Sequence, residues 1–390
     1  MRIALVIERM DPARGGRETS TGQIAALLRA RGHEVTLLCQ DARWEHEGVT
    51  VRALGRKGLL RTRRLENFVH AVQSEMAGGA YDIVHATLPI PGVNVYQPRS
   101  GTMPAQAAAA LRRRSWVGRV LAAGAMKLQV HRRYLANLEA RLVRQTPCLV
   151  LPVSEMVARE LAEYYGRREG VQVVMNAADV AAVDEQDWSH WRQRARYLLG
   201  AGPESTVFLT VAKNFELKGV GELIRGFARW YHRNNRPDAR LVVVGRDNVE
   251  GYQRHAGLRD VGDRVTFAPP TTEIERWYAA CDACVLLSWY DPCSRVVLEA
   301  LRYGIPCLTT SYNGAAEVLG GGAGVVIASP ADTKGLEAAL GELHDVGGRQ
   351  RRREACLAAA GNLSVDRHVS ELLAAYARAP RLGAGDEHGR

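Results

Sequence analysis

The most informative stretch of the chain is Asp291-Pro-Cys-Ser-Arg-Val-Val-Leu-Glu299-Ala-Leu-Arg-Tyr-Gly-Ile-Pro306. It places two carboxylates eight residues apart, with Ser294 and Arg295 between them. Ser294 is a favourable N-cap residue, so we expect a helix to start there, with first-turn backbone N–H groups available to an anion. Asp291 then lies in the loop before the helix, and Glu299 lies more than one turn inside it.

This arrangement suits a nucleotide sugar. The pyrophosphate would bind at the helix N-terminus, and each carboxylate would accept hydrogen bonds from sugar hydroxyl groups. The alternative is an ordinary helix with an acidic residue at its entrance and a solvated glutamate. The spacing alone does not separate these two interpretations.

The same segment resembles the acidic-x7-acidic motif of retaining glycosyltransferases of family 4. The similarity continues through Leu298–Leu319, LEALRYGIPCLTTSYNGAAEVL, where the family usually reads LEAmAxGxPVxxxxxGgxxE. The family most often has glutamate as the first carboxylate, and Asp291 is one methylene shorter. Over about residues 1–375 the resemblance implies an α/β fold of the GT-B type: two Rossmann-like domains face across a cleft, and the C-terminal helix packs back on the first domain.

Length and composition describe a globular protein with a substantial core. The chain has 390 residues, enough for two domains, with 46% hydrophobic and 24% charged residues. The apolar run at the N-terminus is too short for a signal peptide and is typical of a first buried strand. No segment has the roughly 18 uninterrupted apolar residues of a membrane span. Cys281-x-x-Cys284 is interpreted as a pair of buried small residues, and a reducing cytoplasm is the expected location.

The net charge of +10 indicates an acidic partner, which can be a nucleotide, a nucleic acid or an anionic membrane. The chain lacks basic motifs interleaved with aromatic residues, so we expect no nucleic-acid partner.

Both halves of the chain alternate apolar strands with helical segments, which predicts parallel sheets covered by helices. The predicted strands are Ile3–Ile7, Val35–Cys39, Tyr81–His85, Val207–Val211, Leu241–Val244, Val265–Phe267, Ala283–Leu287 and Val325–Ile327. The predicted divisions are an acceptor-side domain at 1–175, a donor-binding domain at 176–363, a returning helix at 364–379 and a disordered tail at 380–390. A low-periodicity stretch around Asn176–Ser205 is interpreted as the connection between the domains.

A double glycine, Gly15-Gly16, follows the first strand. Glycines in such a turn allow backbone amides to approach a phosphate or sugar closely in front of a helix. The pattern resembles the GG-x-E turn of the family, with Glu18 in the glutamate position, and implies donor contacts from all three residues. The alternative is a purely structural turn. The absence of G-x-G-x-x-G and Walker A sequences argues against dinucleotide oxidoreductases and P-loop enzymes.

Lys213 and Lys218-Gly219 resemble the G-R-L-x-x-x-K-G segment of the family, whose two cations bind the donor diphosphate. The resemblance therefore implies that Lys213 and Lys218, together with Asp291, are catalytic as well as binding residues, because charge develops on the leaving diphosphate. Here Lys213 replaces arginine, so one cation is a point charge without the bidentate fork. Paired lysines after a strand can also be simply solvated. The resemblance implies further donor-binding roles, with the loop after Val265–Phe267 meeting the nucleobase, for the residues Arg246, Pro269, Ser294, Arg295 and Val296.

His85 resembles the histidine at the end of the DVVHaH strand of the family, which implies a catalytic role. A lone histidine at a strand end can instead be a satisfied structural residue. Many relatives have another histidine after the next strand, near the reacting carbon. The corresponding stretch here gives Arg99 and Ser100, which we assign to the acceptor side.

The segment Ala105–Arg144 carries nine basic residues and one acidic residue, Glu139. Its leucines and other apolar residues recur at helical spacing, which is typical of a basic amphipathic helix on an anionic membrane surface. The alternative is a domain helix with a solvated basic face. The position is similar to that of the membrane-facing insertion of lipopolysaccharide core glucosyltransferase I-like enzymes.

The sequence therefore predicts a cytoplasmic, membrane-peripheral, retaining glycosyltransferase. We expect it to move a hexose from a nucleoside diphosphate sugar, UDP-glucose or a close relative, to a lipid-linked saccharide. The resemblance implies that no metal or other cofactor is needed, because basic residues and helix N-termini neutralise the diphosphate. Two alternatives are a catalytically silent nucleotide-sugar-binding subunit and a nucleotide-sugar epimerase.

Overall fold

The computed structural model describes residues 1–114, 129–145, 147–180, 182–235 and 238–382. The chain divides into two compact units. The first contains Met1–Ala177 and the C-terminal segment from Val365, and the second contains Ala178–Ser364. The predicted divisions, after residue 175 and before residue 364, lie within two residues of this one.

The first unit is built on a six-stranded parallel sheet in the order β5-β3-β1-β6-β7-β8. Two further short strands of this unit, β2 and β4, form a separate two-stranded parallel sheet. The strands are β1 (Arg2–Val6), β2 (Arg9–Met10), β3 (Glu34–Cys39), β4 (Asp41–Ala42), β5 (Val49–Ala53), β6 (Ile83–Ala86), β7 (Val95–Tyr96) and β8 (Leu149–Val150).

The second unit repeats this architecture with a six-stranded parallel sheet in the order β11-β10-β9-β12-β13-β14. The strands are β9 (Thr206–Lys213), β10 (Ala239–Arg246), β11 (Val265–Ala268), β12 (Ala283–Leu286), β13 (Cys307–Thr310) and β14 (Gly324–Ile327).

Helices connect the strands in both units. They are α1 (Gly16–Ala30), α2 (Arg61–Ala77), α3 (Met103–Arg112), α4 (Val130–Gln145), α5 (Glu155–Tyr165), α6 (Glu185–Leu198), α7 (Val220–Asn234), α8 (Val249–Gly257), α9 (Glu275–Ala280), α10 (Arg295–Arg302), α11 (Thr333–His344), α12 (Val346–Ala360) and α13 (Val365–Tyr376). Within the described ranges, 3-10 helices span Pro12–Arg14 and Gly314–Gly322.

Each sheet has the strand order of a Rossmann fold, because its first strand in the chain lies at the centre and the order reverses beside it. The reversal falls between β1 and β6 in the first unit and between β9 and β12 in the second. Ligands of such sheets bind outside the carboxyl ends of the strands at this point. The prediction of two Rossmann-like domains, each built on a parallel sheet, is confirmed.

The C-terminal helix α13 packs in the first unit, as predicted. Val369 and Leu372 of this helix are fully buried in one apolar core with Leu5 of β1 and Leu28 of α1. Full burial of such a side chain contributes about 1.5–3 kcal/mol. Arg31, directly after α1, donates to Asp366 of α13 at 2.5 Å.

The structure differs from the sequence prediction in the connection between the domains. The stretch predicted as low-periodicity chain contains the 14-residue helix α6. Only Ala195 and Arg196 of this helix are buried, so its sequence shows no apolar stripe. Two arginines attach it to the rest of the second unit, and the Trp188 ring also lies 5.0 Å from the ring of Tyr303. Arg192 and Arg196 both pair with Asp282, at 2.7 and 3.0 Å, and donate to nearby backbone carbonyls.

Two predictions concern residues outside the described part of the chain: positions 115–128 of the basic segment and 383–390 of the predicted disordered tail. Among the described helices, none has the length and apolar character that crossing a membrane requires. Cys281 and Cys284 are buried free thiols, in line with their interpretation as small core residues.

Candidate active site

The loop after β9 is brought against the end of β12 at the reversal point of the second sheet. Asn214, at a φ of 58°, starts the loop and accepts a hydrogen bond from the N–H of Leu217 at 3.0 Å. Gly219 ends the loop with a φ of 64°, and a Cβ there would lie 2.1 Å from the carbonyl oxygen of Leu287. Only glycine fits this approach, which places Lys218 beside the segment after β12.

Lys218 and Asp291 form a direct ion pair between Nζ and Oδ2. Their side chains are 19% and 12% exposed, so water screens the pair only partly. The sequence assigned Lys218 to the donor diphosphate and Asp291 to the donor sugar, and the structure brings the two groups together. Lys213 ends β9 as an exposed residue at the same edge of the sheet.

Asp291 is fixed by a turn that pairs it with Asn313. Its backbone N–H donates to Tyr312 at 2.9 Å, and its carbonyl accepts from Gly314 at 2.9 Å. The buried Asn313 side chain accepts from the N–H groups of Ser294 and Ala315, at 3.2 and 3.0 Å. The loop before α10 therefore has a defined backbone path.

Helix α10 begins at Arg295 with Ser294 as its N-cap residue, as predicted. The hydroxyl group of Ser294 makes no capping hydrogen bond, so this side chain leaves the first-turn N–H groups to other partners. The helix N-terminus at Arg295, four residues after Asp291, carries a partial positive charge. Together with Lys218, it forms a local environment suited to a diphosphate.

Glu299 lies in the second turn of α10, with both carboxylate oxygens engaged. Oε1 accepts from Arg295 at 3.3 Å, and Oε2 accepts from the hydroxyl of Tyr278 at 3.0 Å. Burial raises the pKa of Glu299 above its usual value, although Arg295 and Tyr278 act in the opposite direction. The side chain is 19% exposed, so a ligand hydroxyl can still reach it.

The remaining predicted donor-binding residues of this unit lie at the carboxyl edge of the sheet or in α10. Arg246 ends β10, opposite Lys213 in the strand register, and lines an open cavity of about 730 Å³ with Tyr252 and other residues. Pro269 is exposed directly after β11. Val296 occupies the first turn of α10 and is partly exposed.

In the first unit, Gly15 and Gly16 lie directly before and at the start of α1, as the sequence predicted. Gly15 has a φ of 151° and makes no side-chain cap, which leaves the helix N-terminus uncapped by that residue. Glu18 is 5% exposed and pairs with Arg17 at 3.1 Å. The donor-binding role of both glycines and of Glu18 stays a prediction.

His85 is buried near the carboxyl end of β6. Its Nδ1 lies 2.7 Å from the hydroxyl of Tyr376 in α13. Burial, followed by the charge of Arg99, lowers the pKa of His85 to about 3. Arg99 itself donates to Thr21 at 3.4 Å and to Asn176 at 3.2 Å, while Ser100 is exposed. The first unit thus places His85 and Arg99 in one polar cluster.

Sequence reasoning missed three groups that shape these sites: Tyr278, Asn313 and Tyr376. Each contacts a predicted site residue from a distant or separate segment, Tyr376 over 291 positions. No local motif marks the contacts of Tyr278 and Tyr376, whereas Asn313 lies within the family-like stretch Leu298–Leu319. A buried tyrosine does signal that its hydroxyl needs a partner, but not which one.

Comparison with known protein families gives two matches that follow one another along the chain. Residues 14–182 match the model described as Glycosyltransferase Family 4. Residues 205–345 match the model described as Glycosyl transferases group 1. The first match lies in the first unit except for its last five residues, and the second match lies within the second unit.

Individual relatives are distant and align in part. A glycogen synthase of Mycobacterium tuberculosis is 29% identical over 239 residues, 60% of this chain and 53% of the relative. The lipopolysaccharide glucosyltransferase WaaG of Escherichia coli is 28% identical over 150 residues, 38% of this chain and 40% of the relative. The chain therefore aligns with about half the length, or less, of these curated relatives.

Several solved structures share the fold over nearly the whole chain. The structure of WaaG, a glycosyltransferase involved in lipopolysaccharide biosynthesis, has a TM-score of 0.78 and 21% identity, covering 98% of this chain and 100% of that one. The structure of Anabaena HepE in complex with UDP and glucose has a TM-score of 0.72 and 18% identity, covering 97% and 99%. At these identities the likeness shows the GT-B type of fold.

Proposed function

We propose that this protein is a retaining, metal-independent glycosyltransferase. The proposal starts from the match to a glycosyltransferase family 4 domain, followed along the chain by the match to a glycosyl transferases group 1 domain. The protein moves a hexose from a nucleoside diphosphate sugar to a hydroxyl group of a lipid-linked saccharide. The product belongs to lipopolysaccharide or another cell-envelope glycan. UDP-glucose or a close relative is the donor, since HepE is described in complex with UDP and glucose.

The observation that carries the proposal is the Lys218–Asp291 pair beside the N-terminus of α10. The departing nucleoside diphosphate gains negative charge in the transition state, and fixed positive groups near it stabilise that charge. Lys218 and the helix N-terminus supply such groups without a metal ion. Lys213 adds a second cation at the same sheet edge.

The deprotonation of the acceptor falls to the leaving phosphate, in a front-face displacement such as the family resemblance implies. His85 supports this assignment, because a pKa of about 3 makes it a weak base that stays neutral at physiological pH. Its proposed role in the reaction is therefore to bind and orient a neutral polar group.

The basic segment supports a location at the inner face of the cytoplasmic membrane. Its one acidic residue, Glu139, is 1% exposed and accepts hydrogen bonds from Tyr96 and Tyr165, at 2.8 and 2.5 Å. The apolar side of α4 is also used by the first unit, since Leu138 and Leu142 are buried. The outer face is thus basic, and we propose an electrostatic contact with anionic lipid rather than insertion.

The test is a turnover assay with purified protein, offered UDP-glucose, UDP-galactose, ADP-glucose and GDP-mannose with and without a bacterial membrane extract. The proposal expects nucleoside diphosphate release that rises when the extract is present. Lys218→Met should abolish most of this release, while Lys334→Met, an exposed lysine of α11 in the same unit, should not.

Two other outcomes would replace the proposal. Donor binding without any release, with or without extract, would indicate a silent nucleotide-sugar-binding subunit. Interconversion of UDP-glucose and UDP-galactose without an acceptor would indicate an epimerase.

A further inference from the structure

A small buried pocket lies at the carboxyl ends of β6 and β7 in the first unit. It has a volume of about 10 Å³, and its polar lining comes from Thr21, His85, Thr87, Gln97 and Arg99. His85 belongs to β6, and Gln97 directly follows β7. The pocket thus lies on the ligand-binding side of the sheet, beside the point where the strand order reverses.

Three buried polar atoms of this lining have no hydrogen-bond partner among the described residues. They are both amide atoms of Gln97 and the Nε2 of His85. Gln97 is 0% exposed and His85 is 2% exposed, so bulk water does not satisfy them. The Gln97 side chain lies close enough to the imidazole ring to raise the pKa of His85, but the contact does not meet the geometry of a hydrogen bond. Buried polar groups are almost always paired, so such a cluster points to a missing partner.

The unpaired atoms define the chemistry of that partner. The Gln97 amide offers donors and an acceptor, whichever way its two atoms are assigned. An anion would satisfy the NH2 group but leave the amide oxygen facing a negative charge. A cation would face the NH2 group and the guanidinium of Arg99. A hydroxyl group both donates and accepts, and it also suits either tautomer of His85.

The other polar groups of the lining are already engaged. Thr21 donates to the carbonyl of Arg17 at 2.9 Å, and Thr87 donates to the carbonyl of Val6 at 3.0 Å. Nδ1 of His85 is occupied by Tyr376. The partner therefore meets Gln97 and the Nε2 of His85 first, and a volume of about 10 Å³ holds one oxygen atom.

We propose that Gln97 and His85 form a subsite for a single hydroxyl group of the acceptor saccharide. The claim that a saccharide is the acceptor rests on the function proposed above; the claim that the pocket takes one hydroxyl group does not. Tyr376 acts as a positioning residue, because it holds the imidazole ring through Nδ1. The lowered pKa of His85 keeps the ring neutral, in accord with a neutral ligand.

The experiment measures the binding of free D-glucose, D-galactose and D-mannose by saturation-transfer NMR, which needs no turnover. Three proteins are compared: wild type, Gln97→Leu and Gln40→Leu. Gln40 is the matched control, since it is 2% exposed in the same unit, has an unpaired Nε2 and does not line the pocket. We expect at least one hexose to bind wild type and Gln40→Leu, and to bind Gln97→Leu about tenfold more weakly.

Monodeoxy analogues of that hexose then identify the hydroxyl group. One analogue should bind wild type about tenfold more weakly than the parent sugar does, and Gln97→Leu should not distinguish the two. If no hexose binds wild type, or if Gln97→Leu binds as wild type does, the proposal is overturned. A fall in melting temperature alone, similar in both variants, would show that Gln97 holds only a structural water molecule.

The two proposals can fail separately. A protein that binds a hexose through Gln97 but releases no nucleotide from any donor retains the subsite and loses the transferase function. A protein that transfers sugar while Gln97→Leu leaves hexose binding and acceptor KM unchanged retains the function and loses the subsite.

Discussion

The Lys218–Asp291 pair leads to opposite predictions for its two single variants. Lys218 is expected to bind the diphosphate, and a hydrogen bond to a charged group is worth about 1.5–3 kcal/mol. Lys218→Met should therefore weaken UDP binding about 10- to 100-fold. Asp291→Asn removes the anion that holds Lys218 in the unliganded protein. A partly screened pair of this kind is worth about 1–2 kcal/mol, so UDP should bind this variant about 5- to 30-fold more tightly.

Isothermal titration calorimetry with UDP and UDP-glucose provides the assay. In the double variant, the gain from Asp291→Asn should shrink, because no lysine remains to be released. The gain should also be smaller for UDP-glucose than for UDP, since the carboxylate is expected to contact the sugar. Asp263→Asn is the matched control, a carboxylate of an exposed ion pair in the same unit.

Equal weakening of UDP binding by both variants would refute this reasoning, because Asp291 would then support nucleotide binding rather than compete for the lysine. Additive effects in the double variant would also refute it, since they would show that the two groups act independently of each other.

Three further predictions concern stability and membrane binding. Gly219→Ala forces a side chain into a left-handed backbone against a carbonyl oxygen, so we expect a loss of about 2–5 kcal/mol in thermal unfolding. Replacing Arg132 and Arg141 of α4 by glutamine should cost about 2 kcal/mol, roughly 30-fold, in binding to anionic liposomes at low salt. His85 and His368 have pKa values lowered to about 3, below the unfolded value of 6.5. Below pH 6.5 the unfolded chain binds protons at these histidines while the folded protein does not. The free energy of unfolding, measured with urea, should therefore fall by about 1.4 kcal/mol per pH unit for each histidine between pH 6.5 and about pH 3.

Matched controls decide these three predictions. Gly257→Ala has no neighbour near the added Cβ and should not destabilise. Glutamine at the exposed Arg254 and Arg351 of the second unit should leave liposome binding unchanged. Glutamine at the exposed His70 should not alter the pH dependence of unfolding. Equal effects in a control and its test variant would contradict the corresponding prediction.

The sequence predicted the elements whose signal is local. Strands with four or more consecutive apolar residues, such as β1 and β10, were recognised from the sequence, and the Ser294 N-cap preference placed the start of α10. The resemblance to the family motifs marked Lys213, Lys218 and Asp291 as site residues, and the structure then pairs Lys218 with Asp291. Runs of apolar residues and N-cap preferences can be read from a single sequence, because they depend only on neighbouring residues.

The remaining features depend on contacts between distant parts of the chain. Strands β7 and β8 have two residues each, which is too short for any periodicity. Helix α6 buries only Ala195 among its apolar residues, and it is attached by arginine–carboxylate contacts to Asp282 and by a ring contact of Trp188 with Tyr303, so no apolar stripe reveals it. The unpaired amide of Gln97 is likewise visible only when the surrounding elements are in place.

The proposed reaction is the transfer of a hexose from a nucleoside diphosphate sugar with retention of configuration. The most direct measurement is ¹³C NMR of the product formed from UDP-glucose labelled at the anomeric carbon and a membrane extract. We expect incorporation into a saccharide with the α configuration of the donor, together with release of UDP, and loss of both in Lys218→Met. A β-linked product, or release of UDP without incorporation of the labelled sugar, would contradict it.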